Sequence, residues 1–508
     1  MQRALPVDRS RFADWYQAVV RDADMAETSP VRGAMVIKPW GYGVWEQISQ
    51  ELDRRIKASG HENCYFPMFI PLSFIAKEAE HVEGFAKEMA VVTHHRLKMI
   101  DGKLQPDPDA KLDEPLIVRP TSETIIGDAF SRWIRSHRDL PLLINQWANI
   151  VRWEMRPRLF LRTTEFLWQE GHTAHANAEE AMAETMMALE MYRAFAEDVL
   201  ALPVIAGEKP ENERFPGAVA TYSIEAMMQD GKALQAGTSH YLGDHFAQAQ
   251  NIKYQSEAGG LEFCHTTSWG VSTRLVGGVI MTHGDDDGLR LPPAIAPRQI
   301  VVVPMLRDKP EDAEVLKYCE ALVAALNKLS VFGQPLRAWL DTKKIKSAEK
   351  RWNWVRRGAP IIMEIGPRDA AAGQVTYMKR NSLRDGDKVV SIPMARQDFI
   401  EQAVQFLTEI QAGLFASAKA RLDDNIKRDI TTWDGVAAYF GEDDEAFKGW
   451  VRAPWSKPTG AGLEAVETRL KALKLTIRNA PLDQPKQFGP CVFTGAPGVE
   501  EILVGRAY

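Results

Sequence analysis

The chain has 508 residues, of which 45% are hydrophobic and 26% charged, with a formal net charge of −6 at pH 7. This length predicts more than one domain, because single cores rarely grow beyond about 250–300 residues. The negative balance argues against indiscriminate nucleic-acid binding, although a local basic patch can still bind RNA. The sequence has no signal-peptide pattern and no apolar run of about 18 residues, so neither export nor a membrane span is expected.

The first seventy residues are predicted to be mostly helical. Residues 1–30 suggest a helical lead-in, and residues 35–60 a long amphipathic helix, because apolar residues recur there at helical spacing. Gly60 would end this helix. Residues 64–69 then have the apolar and aromatic character of a strand. Alone, such a helix and strand could be any buried pair of elements.

The segment that follows predicts an antiparallel α+β core. Residues 115–172 indicate strands separated by turns and one helix. A long helix is expected after Asn177, a plausible N-cap with Glu180 three residues on, and Pro203 closes it. Residues 218–290 return to strands and glycine-rich turns. Strands with inserted helices, rather than strict alternation, favour an antiparallel sheet.

A proline-rich segment at residues 291–297 is the best candidate for a domain boundary. Beyond it, strand patterns near residues 300–303, 336–340 and 361–365 alternate with a helix over 311–329, which predicts a small α/β domain with a mostly parallel sheet. From about residue 400 a helix leads into a third region of mixed character. The three predicted domains are residues 1–290, 291–400 and 401–508.

Residues 343–357 form a basic patch that contains Trp352 and Trp354. A solvated helix face explains the charges about as well as RNA binding does. Aromatic residues among cations favour RNA, since unstacked bases pack on aromatic rings.

The four cysteines are scattered and form no C-x-x-C pair. Neither a disulfide framework nor a zinc knuckle is therefore predicted, and reduced thiols of a cytosolic protein fit best. The cysteines are Cys64, Cys264, Cys319 and Cys491.

Four short polar clusters follow one another along the chain, at residues 119–124, 152–154, 235–240 and 269–274. Together they resemble the active site of class II aminoacyl-tRNA synthetases, specifically prolyl-tRNA synthetases of the archaeal and eukaryotic-like type. The resemblance covers nearly the whole chain and weakens in the last hundred or so residues. It implies an α+β catalytic domain with an antiparallel sheet, an α/β anticodon-binding domain and a small α+β C-terminal domain.

The resemblance implies that the carboxylate of an amino acid attacks the α-phosphate of ATP. Both reactants are anionic, and a planar guanidinium can hold carboxylate and phosphate oxygens in one plane. The implied catalytic residues are Arg152, Glu154 and Arg274, with Mg²⁺ accompanying ATP. The implied ATP-binding residues are Arg152, Glu154, Phe166, Gln235, Thr238, Ser272 and Arg274. The family usually has arginine at the position of Thr164, which removes one cation near the nucleotide.

The resemblance also implies a proline pocket, in which Glu123 supplies an anion for the ammonium and aromatic rings enclose the apolar ring. Such a box cannot firmly exclude alanine, because a few missing methylenes change binding by only ~1–3 kcal/mol. The segment between Glu170 and Gln235 is too short for the large editing insertion of bacterial relatives, so no editing is expected. The implied proline-binding residues are Phe85, Thr121, Glu123, Arg152, Trp168 and His240.

The two later domains match the family less closely. The implied anticodon-binding residues are Lys350, Trp354 and Arg368, whereas Arg351 and Val355 replace the phenylalanine and glutamate of the family. Many relatives hold a structural zinc with four cysteines in the C-terminal domain. Here that region contains Cys491 alone, and one thiolate cannot make a tetrahedral site, so no zinc is expected.

The resemblance therefore predicts an enzyme that ligates proline to tRNA(Pro) through a prolyl-adenylate, as a cytoplasmic homodimer. The dimer is implied by the first class II motif, the helix and strand that end at Pro67. Two alternatives stay open. A specialised copy could adenylate proline for a different acceptor, or the chain could be an inactive tRNA-binding or regulatory protein.

Overall fold

The architecture comes from a computed structural model, which describes residues 5–76, 89–441 and 446–508. Its first region extends to residue 290 and contains a large sheet with helices packed on it. The α-helices of this region are α1 (Phe12–Asp22), α2 (Pro39–Ala58), α3 (Leu72–Ala76), α4 (Glu123–Trp133), α5 (Ala178–Asp198), α6 (His245–Gln250) and α7 (Arg274–His283).

The strands of the first region form one large sheet and several small ones. They are β1 (Ala26–Thr28), β2 (Met35–Ile37), β3 (Glu62–Asn63), β4 (Phe69–Pro71), β5 (Ala90–His94), β6 (Leu97–Ile100), β7 (Lys103–Pro106), β8 (Lys111–Val118), β9 (Leu142–Val151), β10 (Glu165–His175), β11 (Ile205–Glu208), β12 (Ala220–Met227), β13 (Ala233–Gly243), β14 (Lys253–Gln255), β15 (Leu261–Phe263) and β16 (His265–Ser272).

The large sheet has eight strands, in the order Ala480–Pro481, β11, β12, β13, β16, β10, β9, β3. Every pairing is antiparallel except that of β3 with β9. This confirms the predicted antiparallel α+β core. Helix α5 packs across β13 and β16, where Tyr192 and Phe195 join Trp269 in the main hydrophobic core.

The long helix α5 begins where the sequence predicts and ends a few residues earlier than predicted. The side chain of Asn177 accepts a hydrogen bond from the Glu180 backbone N–H at 2.9 Å and donates one to the Glu180 carboxylate at 2.9 Å. The first of these bonds satisfies a backbone donor that a helix start leaves unpaired, and the second joins the two side chains. The helix ends at Asp198, before Pro203.

Two early predictions need correction. The helix expected over residues 35–60 begins only at Pro39, because residues 35–37 pair with β1 as strand β2. Residues 64–68 are not a regular strand, and the strand near them is β4, which starts at Phe69. The Phe66 backbone N–H donates to the Gln146 side chain at 2.6 Å, and Pro67 has no N–H, so neither can join a ladder.

The second region follows the proline-rich segment and folds around a five-stranded sheet. Its α-helices are α8 (Asp312–Leu326), α9 (Ser347–Arg357), α10 (Pro367–Ala372) and α11 (Arg396–Asp424). Its strands are β17 (Ile300–Pro304), β18 (Ser330–Val331), β19 (Gln334–Pro335), β20 (Ala338–Leu340), β21 (Ile361–Ile365), β22 (Gln374–Lys379), β23 (Arg384–Asp385), β24 (Lys388–Val389) and β25 (Ile392–Ala395).

This sheet is mixed rather than mostly parallel as predicted. Its strand order is β20, β17, β21, β22, β25, and only the two pairings of β17 are parallel. Strand β22 pairs antiparallel with β21 because only residues 366–373 connect them, and the chain between β22 and β25 forms the hairpin of β23 and β24 instead of a crossover helix. A parallel neighbour needs a crossover of a dozen or more residues.

The third region has its own small core and also extends the large sheet. It contains α12 (Trp433–Phe440), α13 (Gly460–Ala472), β26 (Ile426–Lys427), β27 (Trp450–Trp455), β28 (Thr476–Ile477), β29 (Ala480–Pro481) and β30 (Glu500–Gly505). Strands β26, β27, β30 and β28 form one sheet, whereas β29 pairs with β11. Gly207 permits this pairing, because an added Cβ there would lie 2.3 Å from the Ala480 carbonyl oxygen.

The predicted boundary at residue 400 falls inside α11, and this helix packs on the second core as far as Leu414. The division into domains at that point stays a prediction. Within the described ranges, no helix is both long and apolar enough to cross a membrane.

Candidate active site

One cleft on the large sheet brings together the four polar clusters, although more than a hundred residues of chain separate the first from the last. It has a volume of about 250 Å³ and is walled by β10, β13, β16 and the segments around Thr121 and Arg152. The predicted site residues that line it are Thr121, Glu123, Arg152, Phe166, Trp168, Gln235, Thr238, His240, Ser272 and Arg274. Phe85, also predicted to line the proline pocket, lies outside the described residues.

Arg152 lies directly after β9 and is held by both its backbone and its side chain. Its backbone N–H donates to the Thr164 carbonyl at 2.8 Å, and its Nε donates to the Pro120 carbonyl at 2.9 Å. The guanidinium carbon is 5.8 Å from the Phe166 ring centre and 5.7 Å from the Trp168 ring centre. Such contacts orient a planar cation without neutralising it.

Glu154 does not lie on a strand, because β9 ends at Val151. It nevertheless reaches the same site, in an adjoining pocket of about 130 Å³ that Arg152, Arg162 and Arg274 also line. A Glu154 carboxylate oxygen lies 3.1 Å from Arg162 Nε. Three guanidinium groups around one pocket are suited to a polyphosphate, which forms charge-assisted hydrogen bonds with arginine.

Arg274 is the first residue of α7 and is held over the cleft. Its Nε donates to the Leu161 carbonyl at 3.2 Å, and its backbone N–H donates to the Ser272 hydroxyl at 3.2 Å. Burial, with the charges of Arg162 and Arg152, lowers the pKa of Arg274 to about 10. The side chain is therefore still a cation at neutral pH.

The other end of the cleft contains a buried anion and a neutral histidine. Glu123 begins α4, is 7% exposed and accepts a hydrogen bond from the Thr121 hydroxyl. His240 Nδ1 lies 3.0 Å from the Thr221 hydroxyl. Burial, together with the charges of His172 and Arg152, outweighs the opposing effect of Glu123 and lowers the pKa of His240 to about 4. The His240 ring is therefore neutral at pH 7 and does not compete with a positively charged ligand for Glu123.

Sequence reasoning missed Glu170 and His172, which also line the cleft. Glu170 accepts hydrogen bonds from Ser122 at 2.6 Å and from Gln146 at 2.7 Å, and lies 2.9 Å from His172 Nε2. Burial opposes protonation of His172, yet the hydrogen bond and charge of Glu170, with the charge of Glu123, raise its pKa. Strand periodicity could have found both residues. They continue the alternation of Phe166 and Trp168 along one face of β10.

The segment Glu213, Arg214 and Phe215 also lines the cleft, without any signal in the sequence. The Phe215 ring packs against His240, with the ring centres 4.7 Å apart. Its backbone N–H donates to the Thr221 hydroxyl at 3.0 Å. This irregular segment has neither periodicity nor a motif, and only the tertiary fold brings it to the site.

Comparisons with known proteins identify the family. The class II core domain of the G, H, P, S and T tRNA synthetases matches residues 106–283, and an anticodon-binding domain matches residues 299–406. A proline–tRNA ligase from Sphingomonas elodea is 64% identical over 510 residues, covering 100% of both chains. The chain belongs to the proline–tRNA ligase family. Another member, from Sphingopyxis alaskensis, is 63% identical and covers 100% of this chain and 96% of its own.

Solved structures agree with this assignment. Prolyl-tRNA synthetase from Cryptosporidium parvum, in complex with L-proline and AMP, superposes with a TM-score of 0.87 at 35% identity. The match covers 99% of this chain and 97% of that one. The predicted family, its class II fold and its enzyme class are confirmed by these matches.

Thr164 occupies the position where the family usually has arginine, and it is buried under the N-terminal hairpin of β1 and β2. Its backbone N–H donates to the Gly33 carbonyl at 2.8 Å, and its hydroxyl donates to the Arg32 carbonyl at 3.4 Å. A Cβ on Gly33 would lie 2.2 Å from the Thr164 hydroxyl oxygen. The threonine side chain therefore supports the hairpin, and it does not line either pocket of the site.

The predicted anticodon-binding residues divide into two groups. Lys350 and Trp354 are each 2% exposed, and both donate hydrogen bonds to Asp341. Lys350 Nζ donates to the Asp341 carbonyl at 2.9 Å, and Trp354 Nε1 donates to the Asp341 carboxylate at 2.8 Å. A buried indole cannot stack on a base, so neither side chain is exposed for direct RNA contact in this structure, and their anticodon role stays a prediction. Arg368 is exposed, and its role stays a prediction.

The C-terminal region presents Cys491 as a buried free thiol. Among the described residues, no group of three or more histidine, cysteine, aspartate or glutamate side chains is arranged to hold a metal ion. The expected lack of structural zinc stays a prediction.

Proposed function

We propose that the chain ligates L-proline to tRNA(Pro) in two steps. In the first, a carboxylate oxygen of proline attacks the α-phosphorus of ATP. The bond from that phosphorus to the oxygen that bridges the α- and β-phosphates breaks, and diphosphate leaves. In the second, a hydroxyl of the terminal ribose of tRNA attacks the carbonyl carbon of the adenylate, and AMP leaves. The products are prolyl-tRNA, AMP and diphosphate.

The convergence of arginine side chains and the buried carboxylate of Glu123 in a single cleft carries this proposal. Arg152 lies between the two ends, with Glu123 towards one and Arg274 towards the other. Two anionic reactants need a cation between them, and a secondary ammonium needs a carboxylate. The three side chains supply both without a covalent enzyme intermediate, so the rate would come from positioning and charge neutralisation.

Within this proposal the two predicted ligand sets act at opposite ends of the cleft. Phe166, Gln235, Thr238 and Ser272 would contact the nucleotide beside the arginines. Thr121, Trp168 and His240 would enclose proline, and the neutral state of His240 leaves the ammonium to Glu123. Glu170 and Phe215 belong to the same wall and extend the predicted set.

Mg²⁺ would enter with ATP. Glu154 offers a carboxylate and Gln235 an amide oxygen, which are the ligand types that Mg²⁺ accepts, and such ions usually keep bonds to substrate phosphates. When bound, the ion would offset phosphate charge. The chain's own arginines perform the orientation described above.

We also propose a homodimer that acts in the cytoplasm, where its tRNA partner is charged. Apolar side chains near the predicted first motif support the dimer, since Tyr65 is 70% exposed and Phe69, Leu72 and Trp133 are also exposed. Exposed apolar clusters of this kind mark interfaces. Light scattering should give about twice the chain mass of 57.0 kDa, and a mass near that of one chain would exclude the dimer.

The decisive experiment is charging of purified tRNA(Pro) with labelled proline, ATP and magnesium, with proline-dependent ATP–diphosphate exchange measured in parallel. The proposal expects both activities and their loss in Arg152→Ala. Exchange without charging would indicate a specialised enzyme with another acceptor. Absence of both, with tRNA binding retained, would favour the inactive paralogue.

The same preparation tests two smaller proposals. Metal analysis should find no zinc, and about one zinc per chain would refute this. Hydrolysis of alanyl-tRNA(Pro) should stay at the uncatalysed rate, because the chain between β10 and β13 holds only α5, β11, β12 and their connections.

A further inference from the structure

The C-terminal region inserts a charged side chain beneath the catalytic sheet. Arg478 lies just before β29 and forms two contacts with the carboxylate of Glu225 on β12, at 3.1 Å from Nε and 2.9 Å from Nη2. Both arginine nitrogens contact the same carboxylate oxygen, Oε2. The Glu225 side chain is fully buried, and that of Arg478 is 8% exposed.

The second oxygen of Glu225 has its own cation. Lys209 Nζ lies 3.1 Å from Glu225 Oε1 and 3.3 Å from Glu213 Oε2, and the lysine side chain is 2% exposed. Charges therefore alternate from Arg478 to Glu225, Lys209 and Glu213, two of each sign. Burial opposes ionisation of Glu225, but Arg478 and Lys209 outweigh it and lower the pKa of that carboxyl.

The last member of this series belongs to the wall of the cleft. Glu213 and its neighbours Arg214 and Phe215 line the site. Phe215 packs against His240 and bonds to Thr221, which lies 3.0 Å from His240 Nδ1. Glu213 and Phe215 thus lie at the part of the cleft that would enclose the amino acid, and neither lines the pocket of Arg152, Arg162 and Arg274, the arginine pocket.

We propose that Arg478 is a positioning residue, which holds the segment Glu213–Phe215 against the amino-acid end of the cleft through Glu225 and Lys209. This inference rests on the proposed function for the identity of the ligand at that end. Without Arg478, Glu225 would be buried with Lys209 as its one cation in the series. Since an uncompensated buried charge is strongly unfavourable, Lys209 would move towards Glu225 and release Glu213.

The test compares two buried arginines of the same region. Arg478→Met removes the charge that reaches the catalytic sheet. Arg452→Met is the matched control, because Arg452 is 4% exposed and pairs with Glu501 at 2.6 Å and Asp483 at 3.2 Å, all within the C-terminal region. In proline-dependent ATP–diphosphate exchange, Arg478→Met should raise KM for proline about tenfold and change KM for ATP and kcat less than about twofold, which indicates lost ground-state binding.

An unchanged KM for proline in Arg478→Met, or an equal rise in Arg452→Met, overturns the inference. Should Arg478→Met fail to fold, Arg478→Lys keeps the charge but loses one of the two contacts. It should raise KM for proline about threefold, and an equal rise in KM for ATP would contradict the positioning role.

Hydrogen exchange separates this inference from the proposed function. Amides of residues 209–217 should exchange faster in the Arg478 variants than in wild type or Arg452→Met, and equal exchange overturns the coupling. If the wild type shows no proline-dependent ATP–diphosphate exchange, only the proposed function is refuted, since the amide hydrogen-exchange measurement requires no activity.

Discussion

The cleft on the large sheet and helix α9 both carry aromatic and basic residues, yet the fold uses them in opposite ways. On β10 the alternating side chains from Phe166 to His172 line the cleft. On α9 the corresponding mixture is divided, and Lys350 and Trp354 turn inwards to Asp341. A strand whose polar face meets a cleft leaves its side chains available, whereas residues four apart on an amphipathic helix share one face and are buried together.

The largest effect expected from this comparison is the loss of Arg152. Arg152→Ala should lower proline-dependent ATP–diphosphate exchange by at least about 10²–10³-fold, the usual effect of removing one group that stabilises developing charge. Arg152→Lys should recover little, because an ammonium cannot bridge two anions in one plane. The measurement is kcat/KM for each substrate, with the melting temperature as control.

Arg156→Ala is a matched surface variant, since Arg156 is an exposed arginine of the same loop and lines neither pocket of the site. It should retain most of the exchange activity. Comparable activity in Arg152→Ala and Arg156→Ala would remove Arg152 from the catalytic role.

The opposite outcome is expected on α9. Trp354→Ala should destabilise the protein by about 3–5 kcal/mol, the usual range for removing a large buried aromatic side chain. The indole packs edge-on against Trp40, at 5.5 Å between ring centres, and its bond to Asp341 would also be lost. Urea unfolding gives the change, and tRNA affinity of the folded fraction should be nearly unaltered.

Arg368→Ala is the contrasting variant, because Arg368 is exposed at the start of α10. It should leave stability within about 0.5 kcal/mol of wild type. If Arg368 contacts RNA, KM for tRNA should rise and its salt dependence should weaken. A stable Trp354→Ala with weakened tRNA binding would reverse our interpretation of α9.

The sequence predicts most of the cleft for a physical reason. The family resemblance implied Arg152, Gln235 and Arg274, and side chains on a regular strand follow a period of two, so Phe166 and Trp168 indicate which of their neighbours on β10 share the same face. The N-cap at Asn177 was equally local, because both of its hydrogen bonds close within three residues.

The remaining features depend on contacts that no local pattern encodes. Residues 213–215 line the cleft through tertiary contacts such as that of Lys209 with Glu213, and Glu225, the other partner of Lys209, pairs with a residue 253 positions later. The burial of Trp354 depends on Asp341 and on Trp40. The direction of β22 and β25 depends on what the connecting segments form, not on the apolar character of the strands.

The two histidines of the cleft should give opposite pH dependences of stability, because the fold shifts their pKa values in opposite directions. The folded pKa of His240 is about 4 against an ordinary 6.5, so its contribution to stability is present above 6.5 and is lost as pH falls towards 4, by roughly 3 kcal/mol. The pKa of His172 is raised, so its contribution is present below 6.5 and is lost as pH rises through the folded value.

Urea unfolding of wild type, His240→Gln and His172→Gln over about pH 4.5–8.5 measures both effects as difference curves. Wild type minus His240→Gln should rise with pH, and wild type minus His172→Gln should fall. Two curves of the same slope would contradict the charge assignment at the amino-acid end of the cleft.

The smallest expected effect concerns two adjacent threonines that face different parts of the molecule. Thr164→Val removes a hydroxyl that bonds to the Arg32 carbonyl and accepts from the Glu154 N–H at 3.3 Å, so stability should fall by about 1 kcal/mol. KM for ATP should change less than about twofold, because Thr164 supports the hairpin and lines neither pocket. Thr163→Val is the control, since Thr163 lines the arginine pocket and bonds to the Glu165 carbonyl at 2.7 Å. A larger rise in KM for ATP with Thr164→Val than with Thr163→Val would mean that position 164 serves the nucleotide, as in relatives that have arginine there.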